Sequence, residues 1–265
     1  MIRQLISAIL ATAVAGGLYG CKSTDGAGNW KLAVSETFDD AEALDSWHLD
    51  GPAGVSVTPR GELQIETRQV MIGGEKARCS VLWFGKPVDG DVRYEFDARG
   101  ELGNRCLFFF NARPLKGQKS IFDWQRSTAK YMDYAGEPRM QLYTLGMLRY
   151  DQEKENLRIV GGELAEYLKQ MEALPRSPER KRRNEIFQRK TILQSFPRAA
   201  KSPDRMSHYA LTVTGARIVL EVDGATVLDV VDEHRKANPL RGGYFGFRNF
   251  RPSRAWYDNL RVYRR

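Results

Sequence analysis

The chain has 265 residues, of which 42% are hydrophobic, 11% aromatic and 28% charged, and its formal net charge is +8. These are ordinary values for a globular domain, so the composition excludes a wholly disordered chain and a membrane protein with many spans. Three cysteines are too few for a disulfide-dense miniprotein or for a zinc site of four cysteines. Composition therefore predicts a globular domain with a sizeable core and leaves its chemistry open.

The first 20 residues have the pattern of an export signal. Arg3 precedes an apolar run of small residues, 5–18, which is shorter than the roughly 20 residues that a membrane-spanning helix needs. Gly16-Gly17 also interrupts this run. The pattern therefore favours a cleaved signal peptide over a permanent anchor.

The residues that follow resemble a bacterial lipobox, Leu18-Tyr19-Gly20-Cys21. In lipoproteins of this kind the cysteine carries lipid and becomes the new N-terminus. The resemblance implies a lipoprotein signal peptide over 1–20, a flexible tether over 21–33 and lipidation of Cys21. It implies an exported protein of the outer membrane or periplasm, anchored in the membrane by its lipid, with ordinary secretion as the alternative.

From residue 34 the chain shows short runs of alternating polarity separated by turn residues, which is typical of antiparallel β-sheets. Asp91–Arg99 places Val92, Tyr94, Phe96 and Ala98 on one face and charged residues on the other. Arg105–Arg113 is apolar on both faces and therefore suits a central strand. The predicted strands of this half cover 55–58, 62–67, 79–84, 91–99 and 105–113.

The C-terminal quarter repeats the pattern. Asp223-Gly224 lies between two apolar runs and predicts a tight hairpin turn. The predicted strands of this part cover 208–214, 217–222, 226–231, 243–250 and 255–263.

The two β-rich halves are separated by a helical insertion at about 161–196. Glu163–Leu174 has apolar residues at helical spacing, and Ser177-Pro178 predicts the capped start of a second helix. Residues 176–190 contain seven basic and two acidic side chains, a net charge of +5. Such a helix meets anionic lipid, acidic polysaccharide or solvent, and we expect no nucleic acid for an exported protein.

The last strands carry a resemblance to a known superfamily. Gly242–Phe250 and Trp256–Tyr263, with Glu36–Asp40 near the start, resemble the concanavalin A-like lectins and glucanases. The sequence is most similar to a poorly characterised bacterial family found among polysaccharide-utilisation genes, and less so to the 3-keto-disaccharide hydrolase domain. The residues that carry the former likeness are Asp123, Arg126, Tyr131 and Tyr134. The resemblance implies an all-β, concanavalin A-like jelly-roll sandwich over 34–265 and a carbohydrate ligand, whereas the helical insertion departs from the pattern.

Strand alternation predicts which side chains meet that carbohydrate. With Phe108, Phe110 and Ala112, Phe245 and Phe247, and Met140, Leu142 and Thr144 in the core, the residues between them face outward. Planar amides and guanidinium groups bind sugar hydroxyls, and aromatic rings stack on sugar faces. The predicted carbohydrate-binding residues are Asn111, Arg113, Arg126, Arg139, Gln141, Tyr143, Tyr244 and Arg248. A structural network beneath the insertion is the alternative.

The sequence leaves open whether the protein is an enzyme. It lacks the Glu-x-Asp-x-x-Glu string of retaining glucanases, and Glu95 and Asp97 alternate with arginines, which predicts ion pairs on a solvated strand. If the protein is a glycoside hydrolase or lyase, His208 or Asp123 near Tyr131 is the predicted acid–base group. The alternative is a non-catalytic envelope scaffold that binds its partner through the basic insertion.

No residue spacing predicts a metal site or a cofactor, and calcium stays open because some jelly rolls bind it. Cys79 and Cys106 are either a disulfide pair or two buried thiols.

Overall fold

The computed structural model describes residues 29–72, 74–115, 117–124, 129, 131–250 and 252–265. The predicted signal peptide, Cys21 and Arg126 lie outside these residues. Within them, 18 strands form, in chain order: β1 (Lys31–Glu36), β2 (Trp47–Asp50), β3 (Ala53–Val57), β4 (Leu63–Thr67), β5 (Val70–Ile72), β6 (Glu75–Ala77), β7 (Cys79–Phe84), β8 (Val88–Asp89), β9 (Val92–Gly100), β10 (Arg105–Pro114), β11 (Met140–Met147), β12 (Lys154–Gly161), β13 (Ile192–Pro197), β14 (Ser207–Thr214), β15 (Arg217–Val222), β16 (Ala225–Val231), β17 (Gly242–Phe250) and β18 (Ser253–Arg264).

Sixteen of these strands form two antiparallel sheets that pack as a sandwich, and β5 and β6 pair separately as a two-stranded sheet. Sheet I has the order β16-β15-β14-β9-β18-β4-β3, with β1 also paired to β18. Sheet II has the order β13-β12-β11-β10-β17-β7-β2, with β8 also paired to β17. The all-β jelly-roll prediction is therefore confirmed.

The main core lies between the sheets and is rich in aromatic rings. Strand β9 alternates buried and partly buried residues along its length, as its sequence predicts. Phe96, Phe108 and Phe247 are each fully buried, and their rings pack at centroid distances of 5.0–5.4 Å. Burial of this apolar surface is the main source of the sandwich's stability.

A second core covers the outer face of sheet II. The short helix α1 (Met132–Ala135), the helices α2 (Glu163–Glu172) and α3 (Pro178–Thr191), and residues of the segment 115–139 pack there. This explains why β10 is apolar on both faces. The members of this second core include Val81, Trp83, Phe109, Tyr134, Leu142, Leu168, Met171 and Phe187.

A β-bulge reverses the predicted orientation at the end of β10. Asn111 has φ +49° and interrupts the register with both neighbouring strands. Its side chain points between the sheets, where its Oδ1 accepts from Tyr94 and its Nδ2 donates to the carbonyl of Leu240. Ala112 instead belongs to the second core. The predictions that Asn111 faces outward and Ala112 inward are therefore wrong.

Strand β11 also presents its two faces opposite to the prediction. Tyr143 lies in the main core and donates to Asp232 Oδ2 at 2.9 Å. Met140 and Leu142 lie in the second core. Thr144 is buried on the same outer side, opposite Arg158 of β12. Because both faces of β11 are covered by apolar side chains, hydrophobicity alone did not distinguish them.

We define the helical hairpin as residues 163–191. Its second helix, α3, is capped at its start as the sequence predicts. The Ser177 hydroxyl accepts the backbone N–H of Arg180 at 3.3 Å, and Pro178 occupies the first helical position. Helix α3 ends at Thr191, and the chain continues as strand β13 at the edge of sheet II, which the sequence pattern did not reveal.

Cys79 and Cys106 are free thiols on opposite faces of sheet II, which confirms the buried-thiol alternative. Among the described residues, no helix is both long and apolar enough to cross a membrane.

Candidate functional site

The outer face of sheet II carries a cluster of polar side chains inside the second core. We call Tyr131, Thr144, Arg158 and Arg248 the arginine–tyrosine cluster. Thr144 and Arg158 are cross-strand partners on β11 and β12, and Arg248 lies on β17 opposite Leu107 of β10. Tyr131 comes from the segment that crosses this face just before α1, and its pKa responds to all three other members.

Among the residues that the structure describes, Arg248 is a buried cation without an anionic partner. Its side chain is 4% exposed, and its guanidinium carbon lies 5.7 Å from the Tyr131 ring centroid and 5.5 Å from that of Phe250. Its Nε is enclosed and has no hydrogen-bond partner. Within the described residues it also forms no ion pair. The two rings stabilise its charge by cation–π contact but leave its donors unused.

Arg158 is a second, partly buried cation that acts on Tyr131. Its Nη1 donates to Thr191 Oγ1 at 3.0 Å, and no carboxylate within the described part of the chain pairs with it. Burial lowers the pKa of its guanidinium. An arginine nevertheless stays protonated in a protein, so this charge has to be compensated by something other than proton loss.

Within the described part of the chain, two hydroxyl groups beside these cations also lack a hydrogen bond of good geometry. Tyr131 Oη and Thr144 Oγ1 are enclosed and make no hydrogen bond of good geometry. Burial raises the pKa of Tyr131, and Arg158, Thr144 and Arg248 oppose that shift. Tyr131 is therefore a protonated donor at neutral pH. The cluster presents cationic and hydroxyl donors to a common place, which suits an oxygen atom that carries negative charge.

A groove opens from Tyr131 between the two helices of the hairpin. Its volume is about 790 Å³, within the usual range for small-molecule sites. We call it the hairpin groove. Its lining residues are Tyr131, Leu168, Met171, Arg176, Ser177, Pro178, Arg180, Lys181, Asn184, Phe187 and Gln188.

A larger cavity of about 1150 Å³ lies at the end of the sandwich, beneath the other side of α3. We call it the end cavity. Arg113 and Gln141, two predicted carbohydrate-binding residues, line it. Arg113 is already engaged, because its Nε donates to the carbonyl of Gly242 at 3.0 Å and its Nη2 lies 3.2 Å from Asp89 Oδ1. The end cavity is therefore the larger space, but Arg113, the predicted arginine that lines it, is held by other protein groups, whereas Arg248 Nε has no partner.

Three more of the predicted residues lie on the outer side of sheet II. Tyr244 and Arg248 face outward as predicted, and the Tyr244 hydroxyl lies 3.2 Å from Ser120 Oγ. Arg139 forms two hydrogen bonds from its guanidinium to Glu137, at 2.8 and 2.9 Å, and lies over the ring of Trp124. Arg248 thus joins the cluster, whereas Arg139 is held by a carboxylate.

The predicted acid–base groups are not brought together. Asp123 is exposed, and its Oδ2 accepts the backbone N–H groups of Lys119 and Ser120, so it stabilises a turn. His208 lies on sheet I, where its Nδ1 is 2.7 Å from Asp97 Oδ1. The expected proximity of His208 to Tyr131 is wrong, because the two residues lie on opposite sides of the sandwich.

Arg158 and Thr144 are the members of the cluster that sequence reasoning missed. Arg158 interrupts an otherwise apolar stretch, Leu157–Val160, and that interruption is the signal that could have identified it. The described residues contain no group of three or more His, Cys, Asp or Glu side chains arranged to hold a metal ion.

Solved structures with a similar fold are β-sandwiches of low sequence identity. A galectin-like protein of unknown function from Bacillus subtilis matches with TM-score 0.67 and 17% identity, covering 89% of this chain and 100% of its own. The endo-β-1,3-glucanase of Pyrococcus furiosus matches with TM-score 0.57 and 12% identity, over 89% and 94% of the two chains. The laminarinase of Rhodothermus marinus gives 0.57 and 14%, over 89% and 97%. These similarities show the fold.

Among curated proteins, none matches the chain. The model of one family does, and it is the less similar of the two families that the sequence suggested. It spans residues 33–263, which include both sheets, the hairpin and the arginine–tyrosine cluster. The chain therefore belongs to the family of the 3-keto-alpha-glucoside-1,2-lyase-like domain.

Proposed function

We propose that this protein is a carbohydrate-active lyase that binds a glycoside oxidised to a ketone at C3 and cleaves its glycosidic bond. The observation that carries the proposal is a pair of guanidinium groups near Tyr131, the buried Arg248 and the partly buried Arg158, which have no acidic partner among the described residues. A buried charge is costly unless something compensates it. The family name supplies the substrate class.

The chemistry of such a substrate requires stabilisation of an oxyanion. A ketone at C3 acidifies the hydrogen on C2, and removal of that proton places negative charge on the C3 oxygen. The electron pair then forms a C1–C2 double bond while the C1–O bond breaks, and the leaving oxygen takes up a proton. Preorganised cationic donors at the C3 oxygen stabilise the first of these charges.

The cluster and the nearby Asp133 together offer a group for each of these tasks. Arg158 and Arg248 hold the C3 oxygen. Tyr131 is protonated because burial raises its pKa, so it gives its proton to the leaving oxygen. Asp133 takes the C2 proton; it follows Tyr131 by two residues, and its charge acts on Cys79, as does that of Arg248.

Turnover of 4-nitrophenyl 3-keto-α-glucoside tests this function. We expect release of nitrophenol together with an unsaturated sugar product, identified by its mass as lacking added water. Arg158→Gln and Arg248→Gln should each lower kcat by about 10²–10³, the usual effect of removing an oxyanion donor. Arg60→Gln is the matched control, since Arg60 is exposed on the turn between β3 and β4.

Two outcomes of this assay contradict the proposal. Tight binding of the ketosugar without any product would make the protein a lectin. Turnover that survives both substitutions would remove the cluster from the chemistry.

We also propose that the protein is exported and anchored by lipid on Cys21. The support is the run of residues 5–18 and the Leu18–Cys21 motif. Mass spectrometry of the mature N-terminus, after expression in a host that processes lipoproteins, should show an acylated Cys21. An unmodified N-terminus at another residue would contradict the anchor.

A further inference from the structure

The hairpin groove combines an apolar floor with a basic rim. Leu168, Met171 and Phe187 are buried to 2–5% exposure and face it from α2 and α3. Arg176, Arg180 and Lys181 line the same groove near the start of α3, and none of the eleven lining residues is acidic. A ligand of this groove therefore meets an apolar surface and positive charge together.

The positive charge of the rim is not neutralised by the hairpin itself. Within the described residues, Arg176, Arg180 and Lys181 form no ion pair, and Arg180 donates its Nη1 to the carbonyl of Leu174. The nearest acidic residue in sequence, Glu179, is paired with Arg183 at 3.2 Å. The N-terminal end of α3 adds the positive end of the helix dipole.

The apolar floor of the hairpin groove favours an aromatic anion over an acidic sugar. An acidic sugar would lay hydroxyl groups against Met171 and Phe187, where they would lose hydrogen bonds to water without replacement. An aromatic ring has no hydrogen bonds to lose on this surface and gains contact with Tyr131, Phe187 and Met171, since thioethers and rings both pack well on aromatic faces. Apolar floor and basic rim together therefore fit an aromatic carboxylate.

The groove begins at the cluster that we assign to the sugar. Tyr131 belongs both to the arginine–tyrosine cluster and to the groove lining. A ring bonded to the leaving oxygen beside Tyr131 would thus enter the groove directly. Resting on the function proposed above, we propose that the hairpin groove binds the leaving group of the substrate and selects an aromatic carboxylic acid.

Binding of the free leaving group tests this without turnover. Calorimetry should show that 4-hydroxybenzoate binds at least tenfold more tightly than its neutral methyl ester. Salt at 0.5 M, which shortens the screening length to about 4 Å, should weaken binding of the acid alone. Each exposed charge contributes modestly, so Arg176→Gln/Arg180→Gln/Lys181→Gln should weaken the acid by about tenfold. The matched control, Arg182→Gln/Arg189→Gln/Lys190→Gln, removes the same charge from α3 outside the groove and should bind as the unmodified protein does.

The outcomes separate the two proposals. Equal binding of acid and ester, the same loss in both triple variants, or tighter binding of glucuronate than of 4-hydroxybenzoate would overturn the groove assignment even if 3-ketoglucosides are turned over. Selective binding of the acid by a protein that turns over no ketosugar would leave the groove assignment intact and contradict the lyase. With an active enzyme, the ratio of kcat/KM for 4-carboxyphenyl over 4-methoxycarbonylphenyl 3-keto-α-glucoside should fall only in the groove variant.

Discussion

The outer faces of the two sheets differ in whether their basic side chains form ion pairs. On sheet I several basic side chains have acidic partners across or along the strands. Examples are Arg93 with Glu95 at 2.6 Å, Arg99 with Glu62 at 3.0 Å, His208 with Asp97 at 2.7 Å and Arg217 with Asp229 at 2.7 Å. The predicted ion pair of Glu95 with an arginine is thereby confirmed, whereas Asp97 pairs with His208 and not with a neighbouring arginine. On sheet II, Arg248 is buried and Arg158 is partly buried, and neither has such a partner among the described residues.

The difference separates a stabilising surface from a binding surface. Partly exposed ion pairs each contribute up to about 1 kcal/mol and need no ligand. A buried arginine without an anion contributes nothing of that kind and costs desolvation energy. A bound ligand oxygen would relieve this unfavourable arrangement, which is the physical basis of the proposed site.

A buried carboxylate shows why arginine is the more informative residue. Glu155 is 2% exposed near one end of the main core, and burial raises its pKa to about 7, with Arg149 opposing the shift. A carboxylate can escape the cost of burial by taking up a proton. Arginine cannot lose its proton at any physiological pH, so its unpaired burial points to a ligand.

Replacing the two sheet II arginines by methionine should have the largest effect on turnover. Arg158→Met and Arg248→Met keep the apolar contacts but remove the charge, so we expect kcat to fall by about 10²–10³ while the melting temperature stays the same or rises. Arg93→Met on sheet I should do the reverse, with turnover unchanged and a small loss of stability. Turnover and thermal unfolding are measured on the same samples, and a Tm that falls sharply in the sheet II variants would show that their arginines are structural.

Asn111→Leu tests the corrected position of this residue. The substitution leaves the buried Tyr94 hydroxyl and the Leu240 carbonyl without partners and places a branched residue at φ +49°. We expect a loss of about 3 kcal/mol in the free energy of unfolding, with the KM of the remaining folded protein unchanged. Chemical denaturation gives the first quantity. A raised KM with unchanged stability would restore the carbohydrate-binding role predicted from the sequence.

The pH dependence of stability should reveal Glu155. Its pKa is about 7 in the folded protein against an ordinary value of 4.5, so the folded state holds an extra proton between these values. Stability should therefore decrease by about 3 kcal/mol as the pH rises from about 4.5 to 7, and then level off. Glu155→Gln should remove this decrease in urea titrations at several pH values. A stability that increases over this window would contradict the assignment.

His208→Gln should have the smallest effect. The Asp97 carboxylate raises the pKa of His208, so the ion pair stabilises the fold at low pH and this contribution disappears as the pH rises through the folded pKa. Because His208 is about half exposed, we expect a change below about 1 kcal/mol and turnover within twofold of the unmodified protein. A large loss of turnover would return His208 to the role of acid–base group.

The sequence by itself determined most of the fold, because the relevant signals are local. The alternation in Asp91–Arg99, the turn residues Asp223-Gly224 and the cap at Ser177-Pro178 each act through a few neighbouring residues. Asp223 and Gly224 both adopt the positive φ that this two-residue turn requires. Such features do not depend on how distant parts of the chain pack.

Only the tertiary structure decided the site. A single bulge at Asn111 reverses which side chains of β10 face outward. For β11, polarity cannot predict which face is the outer one, because apolar cores cover both of its sides. Whether Arg158 and Arg248 stay free to bind a ligand depends on which carboxylates lie near them, and neighbouring strands in a sheet can be far apart in sequence. Alternation can place a charge on a face, but only the packing of distant segments determines whether that charge is paired.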